Sequence, residues 1–170
     1  MFYHSFSIGF IEIPNINASL NIYTVGCPFK CKGCHNKDLQ NINHPQRKIL
    51  DIEEIIKTIN NSNNFIQGIC WLGGEPLYQF KDFISINHKI KSFFPNISIC
   101  LYTGYTLQNI INNNPDEYND LLTLEINYII DGPWKGISIS DKNSNQKIYK
   151  FNYSTNNYSQ ISYEEFKNGK

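Results

Sequence analysis

Excess charge of either sign is missing from this sequence. Lys and Arg together number 15, as do Asp and Glu, so the formal net charge is zero. Bulk electrostatics therefore provides no attraction to nucleic acid or to an acidic membrane, and we expect neither as a partner.

Long apolar stretches are missing as well. No segment approaches the roughly 20 consecutive apolar residues that a membrane-spanning helix needs. The start, Met1-Phe-Tyr-His4, does not have the basic and then apolar character of a secretion signal. These absences predict a cytoplasmic protein, and the length of 170 residues predicts one domain with a buried core.

Strand and helix signals alternate along the chain. Apolar segments rich in strand-forming residues predict four strands, at 19–25, 65–72, 97–102 and 126–130. Apolar periodicity predicts helices at 51–59 and 80–94, and Thr106 is suited to cap a short third helix. Asp51 and Glu54 match a capping box at the start of the first helix. The alternation favours a parallel sheet with right-handed crossovers.

Segments rich in cysteine or glycine directly follow each predicted strand. They span 26–36, 73–76, 103–106 and 131–134. Since the carboxyl ends of parallel strands share one rim, where ligands bind, these segments predict a single site. A complete eight-fold barrel takes roughly 250 residues. We therefore expect the α/β class and a partial, open parallel (β/α) barrel over residues 1–150. A polar, irregular C-terminal extension is expected at 151–170.

The five cysteines are unevenly distributed. Three of them form Cys27-Pro-Phe-Lys-Cys31-Lys-Gly-Cys34, with the spacing C-x3-C-x2-C. Three thiolates on a short loop can bind three irons of a cubane cluster and leave the fourth iron open, as catalysis at a metal requires. Cys70 and Cys100 lie alone within apolar strands, where burial in the core is expected.

A zinc site is the alternative for the same cysteines, with His35 or His44 as the fourth ligand. Structural zinc sites usually combine two ligand pairs that are well separated in sequence, and no second pair exists here. A disulfide framework suits neither an odd number of cysteines nor a cytoplasmic protein.

Gly-Gly-Glu-Pro at 73–76 ends the second predicted strand. Two glycines permit close approach of the backbone to a ligand, and Glu75 supplies a carboxylate that can accept from an ammonium group. An ordinary tight turn uses the same residue types. The position of this segment, one strand–helix unit after the cysteines, favours the binding interpretation.

In this order, the cysteine motif and Gly-Gly-Glu-Pro resemble the signature of radical S-adenosylmethionine enzymes. The similarity to their smallest members, the glycyl-radical-enzyme activases, is closer, since Cys34-His-Asn36 resembles the "CHN" of many activases. Three later segments resemble the "WTGY", "VDG" and "SSNQ" motifs of anaerobic ribonucleoside-triphosphate reductase activating proteins, namely Leu101-Tyr-Thr-Gly-Tyr-Thr106, Tyr128-Ile-Ile-Asp-Gly-Pro133 and Asn143-Ser-Asn-Gln146. The matches run in order from about residue 11 to 150.

Some positions depart from this pattern. The Gly and Arg that often precede the first strand are replaced by Ile13-Pro-Asn-Ile-Asn-Ala18, and the Arg-Gly often found before "SSNQ" is missing. Gly33 stands where many superfamily members have an aromatic residue, although glycine is usual in this branch. These departures bear on partner contacts more than on cofactor chemistry.

The resemblance implies two cofactors, a [4Fe-4S] cluster on the clustered cysteines and S-adenosyl-L-methionine on the open iron. The resemblance assigns the cluster to Cys27, Cys31 and Cys34, and the methionine amino group to Gly73, Gly74 and Glu75. It places the adenine near the backbone of Gly33, Cys34 and His35. It assigns the ribose or carboxylate to Thr103 and Asp131. A packing role suits His35 equally well. The radical is carried by the cofactor, so no catalytic side chain is expected, and His4, His44 and His88 are expected to be solvated.

The resemblance also implies a partner, an anaerobic ribonucleoside-triphosphate reductase on which a glycyl radical is installed. An external one-electron donor such as a flavodoxin is expected, because the chain has cysteines for one cluster only. Three alternatives stay open: an activase of the pyruvate formate-lyase type, a small-molecule enzyme such as 7-carboxy-7-deazaguanine synthase, and a zinc-binding interaction module.

Overall fold

A mixed sheet of eight strands forms the centre of the α/β fold in the computed structural model, which describes residues 1–10 and 12–169. The strands are β1 (Phe2–Gly9), β2 (Ala18–Thr24), β3 (Lys48–Ile49), β4 (Ile66–Gly73), β5 (Ser98–Tyr102), β6 (Tyr128–Asp131), β7 (Lys147–Asn152) and β8 (Asn157–Ile161). Their order across the sheet is β3-β1-β2-β4-β5-β6-β7-β8.

The four central strands, β2, β4, β5 and β6, run parallel to one another. They are the four strands that the sequence predicts, so the expected parallel arrangement is confirmed. The outer strands β1, β3, β7 and β8 are antiparallel to their neighbours. The sheet is therefore mixed, with its parallel part at the centre.

Five α-helices accompany the sheet in the described part of the chain. They are α1 (Ile52–Asn61), α2 (Phe80–Phe93), α3 (Leu107–Asn113), α4 (Pro115–Leu124) and α5 (Tyr163–Lys167), and short 3-10 helices cover Lys37–Gln40 and Pro76–Gln79. The predicted caps of α1 and α3 are confirmed, because Asp51 accepts from the Glu53 amide and Thr106 from the Asn109 amide. The capping box is wrong, since the Glu54 carboxylate accepts from the Tyr3 hydroxyl instead.

Apolar side chains form a core on each face of the sheet. Trp71 of β4 packs on one face with Phe83 of α2, ring centroids 5.3 Å apart, in a cluster that includes residues of α1 to α4. Cys70 and Cys100 face the other side, directly opposite each other in the parallel β4–β5 register. Both are fully buried with Phe166 of α5 in the second cluster, so their expected burial is confirmed.

The C-terminal residues continue the sheet. Within the extension expected at 151–170, the structure has the end of β7 followed by β8 and α5, so the expected irregularity is wrong for residues 151–152, 157–161 and 163–167. Polar residues occupy much of β7 and of the edge strand β8, so their sequence does not have the apolar run that marks a central strand. The division of the chain at residue 150, which β7 crosses, stays a prediction.

Within residues 1–10 and 12–169, none of the helices has both the length and the apolar character needed to cross a membrane.

A buried hydrogen-bond pair inside the larger core generates a stability prediction. The Trp71 Nε1–H donates to Asn87 Oδ1 at 2.9 Å, and Asn87 Nδ2 donates to the Phe83 carbonyl at 2.7 Å. Asn87→Ala leaves the buried indole N–H unpaired and should lower the free energy of unfolding by about 2 kcal/mol. Urea titrations measure the change, and Asn61→Ala on the exposed surface of α1 is the control. Equal losses in the two variants would contradict the prediction.

Candidate cofactor site

A cavity of about 420 Å³ lies where the parallel strands end. Residues that follow each of β2, β4, β5 and β6 line it, so the structure brings the four rim segments together. The predicted site residues in its lining are Cys27, Cys31, Cys34, His35, Gly73, Gly74, Glu75 and Thr103. Gly33 and Asp131 are outside the lining, as are His4, His44 and His88.

The three cysteines belong to one loop that begins at the end of β2. Backbone hydrogen bonds fix the start of this loop, from the Gly26 amide to the Leu39 carbonyl at 2.8 Å and from the Cys27 amide to the Gln40 carbonyl at 3.0 Å. All three thiols are free and partly exposed. Burial raises the pKa of the Cys27 thiol to about 11, with the nearby Glu75 acting in the same direction. Metal binding at this position therefore has to displace a proton.

The donor set fits an iron–sulfur cluster by its chemistry. Three thiols from one short loop face one cavity, and each can serve a separate iron of a cubane. In the described part of the chain, no three His, Cys, Asp or Glu side chains are arranged to hold a single metal ion. Of the two histidines proposed for zinc, His35 lines the cavity, whereas His44 accepts from the Gln46 amide and packs edge-on against His4.

Gly73 and Gly74 join the end of β4 to the start of the cysteine loop. A side chain at Gly74 would place Cβ 2.6 Å from the Gly26 carbonyl oxygen, and one at Gly73 would place it 2.8 Å from the Thr24 nitrogen. Gly73 also has a φ of 99°, which disfavours any other residue. Backbone packing therefore requires glycine at both positions, whether or not a ligand also lies against them.

Glu75 is a buried carboxylate that links the β4 and β5 rim segments. Its oxygens accept from the Leu77 amide at 3.0 Å, the Thr103 hydroxyl at 2.9 Å and the Gly104 amide at 2.6 Å. Burial raises its pKa to about 7, although these three hydrogen bonds act in the opposite direction. None of these three hydrogen-bonding partners is a cation. A positively charged group that enters the cavity is therefore favoured next to the Glu75 carboxylate.

Asp131 occupies a structural position beside the cavity. Its carboxylate accepts from the Leu107 amide at 2.7 Å and from the Lys147 amide at 3.2 Å, which joins the start of α3 to β7. Burial raises its pKa, and the two hydrogen bonds oppose that shift. The predicted contact of Asp131 with the cofactor finds no support in this position, and the adjacent Gly132 lines the cavity instead.

Phe29 and Trp134 are aromatic residues of the cavity lining that were not predicted as site residues from the sequence. The Phe29 ring covers Gly104, where an added Cβ would lie 2.5 Å from a ring carbon. The Trp134 indole donates to the Gly33 carbonyl at 3.1 Å, and its ring lies 4.7 Å from that of His35. Trp134 follows the Asp-Gly-Pro strand end, and this position was the signal that could have identified it.

Comparison with known families first defines the class of protein. A family model described as a 4Fe-4S single cluster domain matches residues 18–158, so this is a 4Fe–4S protein with one cluster domain.

The more specific similarity is to named activating proteins. An anaerobic ribonucleoside-triphosphate reductase-activating protein of Enterobacteria phage T4 is 32% identical over 117 residues, 67% of this chain and 69% of the relative. The protein of the same name from Escherichia coli K12 is 29% identical over 137 residues, 78% of this chain and 84% of the relative. A pyruvate formate-lyase-activating enzyme of Staphylococcus epidermidis is 28% identical over 155 residues, 85% of this chain and 59% of the relative. The chain belongs to the anaerobic ribonucleoside-triphosphate reductase-activating protein family, which confirms the resemblance found in its motifs.

The buried Glu75 makes stability depend on pH. Its pKa of about 7 in the folded protein exceeds the ordinary value of 4.5, so the folded state binds more protons than the unfolded state between these values. Glu75 therefore costs stability progressively as the pH rises through this window, and the full cost is present above pH 7. The difference in unfolding free energy between the wild type and Glu75→Gln (wild type minus variant) should decrease by more than about 1 kcal/mol as the pH rises from 4.5 to about 7. Urea titrations of the metal-free proteins test this, and parallel pH profiles would contradict it.

Proposed function

We propose that this chain uses a [4Fe-4S] cluster and S-adenosyl-L-methionine to install a glycyl radical on an anaerobic ribonucleoside-triphosphate reductase. The observation that carries this conclusion is the meeting of three thiols and the Gly73–Glu75 segment in one cavity at the rim of the parallel strands. Its residues are those expected for an iron cluster beside a cationic, amino-acid-like ligand. Membership in the activating-protein family supports the assignment.

The finer fold that suits this function is a partial parallel barrel, open on one side. Four adjacent parallel strands support it, because their twist curves such a sheet and gathers their ends at one rim. The face of the sheet that carries Cys70, Cys100 and Phe166 then corresponds to the interior of the barrel. The helices α1 to α4 on the other face lie outside it.

The cysteine loop is the proposed cluster site, with Cys27, Cys31 and Cys34 each holding one iron as a thiolate. When bound and reduced, the cluster supplies the electron that breaks a sulfur–carbon bond of S-adenosylmethionine, and thus the radical that abstracts hydrogen. Glu75 then provides the negative charge opposite the methionine ammonium group. Thr103 holds the Glu75 carboxylate in place by its hydroxyl, and this carboxylate retains lone pairs for a ligand.

The substrate is proposed to be a glycine of a folded partner protein. The cavity is bordered by exposed segments of the cysteine loop, and a loop of a partner can enter and complete it. The chemistry that the bound cofactor would supply is removal of one hydrogen atom from the glycine Cα, which would leave the unpaired electron on the partner. Phe29 and Trp134 in the cavity wall help to exclude water from this step.

The electron is proposed to come from a separate carrier such as a flavodoxin. Cys70 and Cys100 are fully buried in the core and so do not offer a second cluster site. Lys30, Lys32 and Lys37 are exposed on or next to the cysteine loop. This local positive charge, within a chain of zero net charge, suits an acidic one-electron carrier that approaches the cluster from outside.

The cluster ligands are tested by removing one thiol. Cys31→Ala should abolish the brown colour of the anaerobically reconstituted protein and the cleavage of S-adenosylmethionine, because two thiolates of the loop cannot fix the cluster. Iron and sulfide analysis and visible absorbance measure the loss. Cys100→Ala is the matched control, since its thiol is buried in the core, and it should keep the colour. Full cluster retention in Cys31→Ala, or zinc in place of iron in the wild type, would contradict the proposed site.

The partner is tested by electron paramagnetic resonance. Reconstituted protein, S-adenosylmethionine and a reductant are mixed with an anaerobic ribonucleotide reductase, and a glycyl radical signal on the reductase is expected. Pyruvate formate-lyase replaces the reductase in a parallel sample, because a relative of that type is 28% identical to this chain. A signal on the lyase alone would reassign the partner. Cofactor cleavage without a radical on either protein would count against the activase function.

A further inference from the structure

Trp134 connects the end of β6 to the middle of the cysteine loop. Its Nε1–H donates to the Gly33 carbonyl at 3.1 Å across a sequence separation of 101 residues. Its ring lies 4.7 Å from the ring of His35, at a tilt of 52°. The indole therefore contacts the loop on both sides of Cys34.

The turn that carries Trp134 is held by two side chains from the Asn143–Gln146 motif. Asn145 Nδ2 donates to the Pro133 carbonyl at 2.8 Å, and Gln146 Nε2 donates to the Gly132 carbonyl at 3.1 Å. Both acceptors belong to the two residues directly before Trp134. The motif therefore fixes the backbone from which the indole projects.

The middle of the cysteine loop forms few other hydrogen bonds in the described part of the chain, and Phe29 packs against Tyr105 with ring centroids 4.9 Å apart. The hydrogen bonds of Gly26 and Cys27 fix its start, and the Cys34 amide donates to the Cys31 carbonyl within the loop at 3.3 Å. Gly33 has a φ of 72°, and the only atom within 4 Å of an added Cβ would be the Trp134 indole nitrogen at 3.9 Å. Trp134 is thus a hydrogen-bonding contact from outside the loop at the exposed turn of Lys32 and Gly33.

We infer that Trp134, fixed by Asn145 and Gln146, is a positioning residue that holds Cys31 and Cys34 in the orientation the cluster needs. The inference rests on the proposed function, because it concerns the same three thiols. It gives the Asn143–Gln146 motif a role, since Asn145 and Gln146 hold the backbone before Trp134 and so determine how firmly the cysteine loop is held.

Thiol labelling of the metal-free protein tests this without reference to activity. Trp134→Ala should increase the rates at which Cys31 and Cys34 react with a maleimide by roughly threefold to tenfold, the effect of losing one hydrogen bond and a ring contact. Trp134→Phe keeps a ring over the loop but cannot donate to Gly33, and its labelling rates should fall between those of Ala and wild type. The fully buried Cys70 and Cys100 serve as internal references, and their protection shows that each variant is folded.

Trp134→Ala would expose the thiols even if the indole only shielded them from the reagent. Gln146→Glu keeps the indole and removes the donor to the Gly132 carbonyl, so it tests positioning apart from shielding. It should also increase labelling of Cys31 and Cys34, whereas Gln160→Glu on the exposed surface of β8 should match the wild type. In reconstituted protein, both Trp134→Ala and Gln146→Glu should release iron to a chelator faster than the wild type. Labelling and iron release equal to wild type in both variants would overturn the inference. A wild type that assembles no cluster would instead overturn the proposed function, and the two failures are distinguishable.

Discussion

The site depends on the close contact between the ends of β2 and β4. The Gly74 amide donates to the Thr24 carbonyl and the Glu75 amide to the Gly26 carbonyl, both at 2.8 Å. Only glycine permits the two backbones to lie so near each other at position 74, because a Cβ there would overlap the Gly26 oxygen. This contact places the cysteine loop and Glu75 side by side, since Gly26 directly precedes Cys27. The relative position of thiols and carboxylate is thus determined by backbone atoms.

Glu75 connects the end of β4 to the segment after β5, and the burial of its carboxylate costs free energy. Its hydrogen bonds to Thr103 and Gly104 fix the segment after β5, yet burial still raises its pKa to about 7. A buried carboxylate with neutral partners is stabilised when a cation arrives, because the added charge offsets part of the desolvation cost. The burial of Glu75 therefore favours binding of a cationic ligand beside it. This property follows from burial and does not require a further charged side chain.

The central part of this arrangement could be predicted from the sequence, whereas its long-range contacts could not. The strands β2, β4, β5 and β6 are apolar segments followed by glycine or cysteine, and parallel strands necessarily bring such ends to one rim. The edge strands β1 and β8 carry polar residues that give no such signal. The roles of Asp131 and Trp134 depend on partners 16 to 101 residues away, and no local pattern specifies them. The resemblance and its place at the rim assign Asp131 to the cofactor, which stays a prediction, and its carboxylate accepts from two backbone amides in the structure.

The same contacts explain why a partner protein is a natural complement to this fold. In the described part of the chain, the segment after β6 contacts the middle of the cysteine loop through Trp134, and hydrogen bonds hold it at Gly132, Pro133 and Trp134. A segment held in this way braces the loop and is poorly suited to open and close as a lid. The radical chemistry of the proposed function requires exclusion of water, which favours a cover that comes from the substrate side. On the proposed function, a folded partner whose glycine loop fills the cavity would provide this cover.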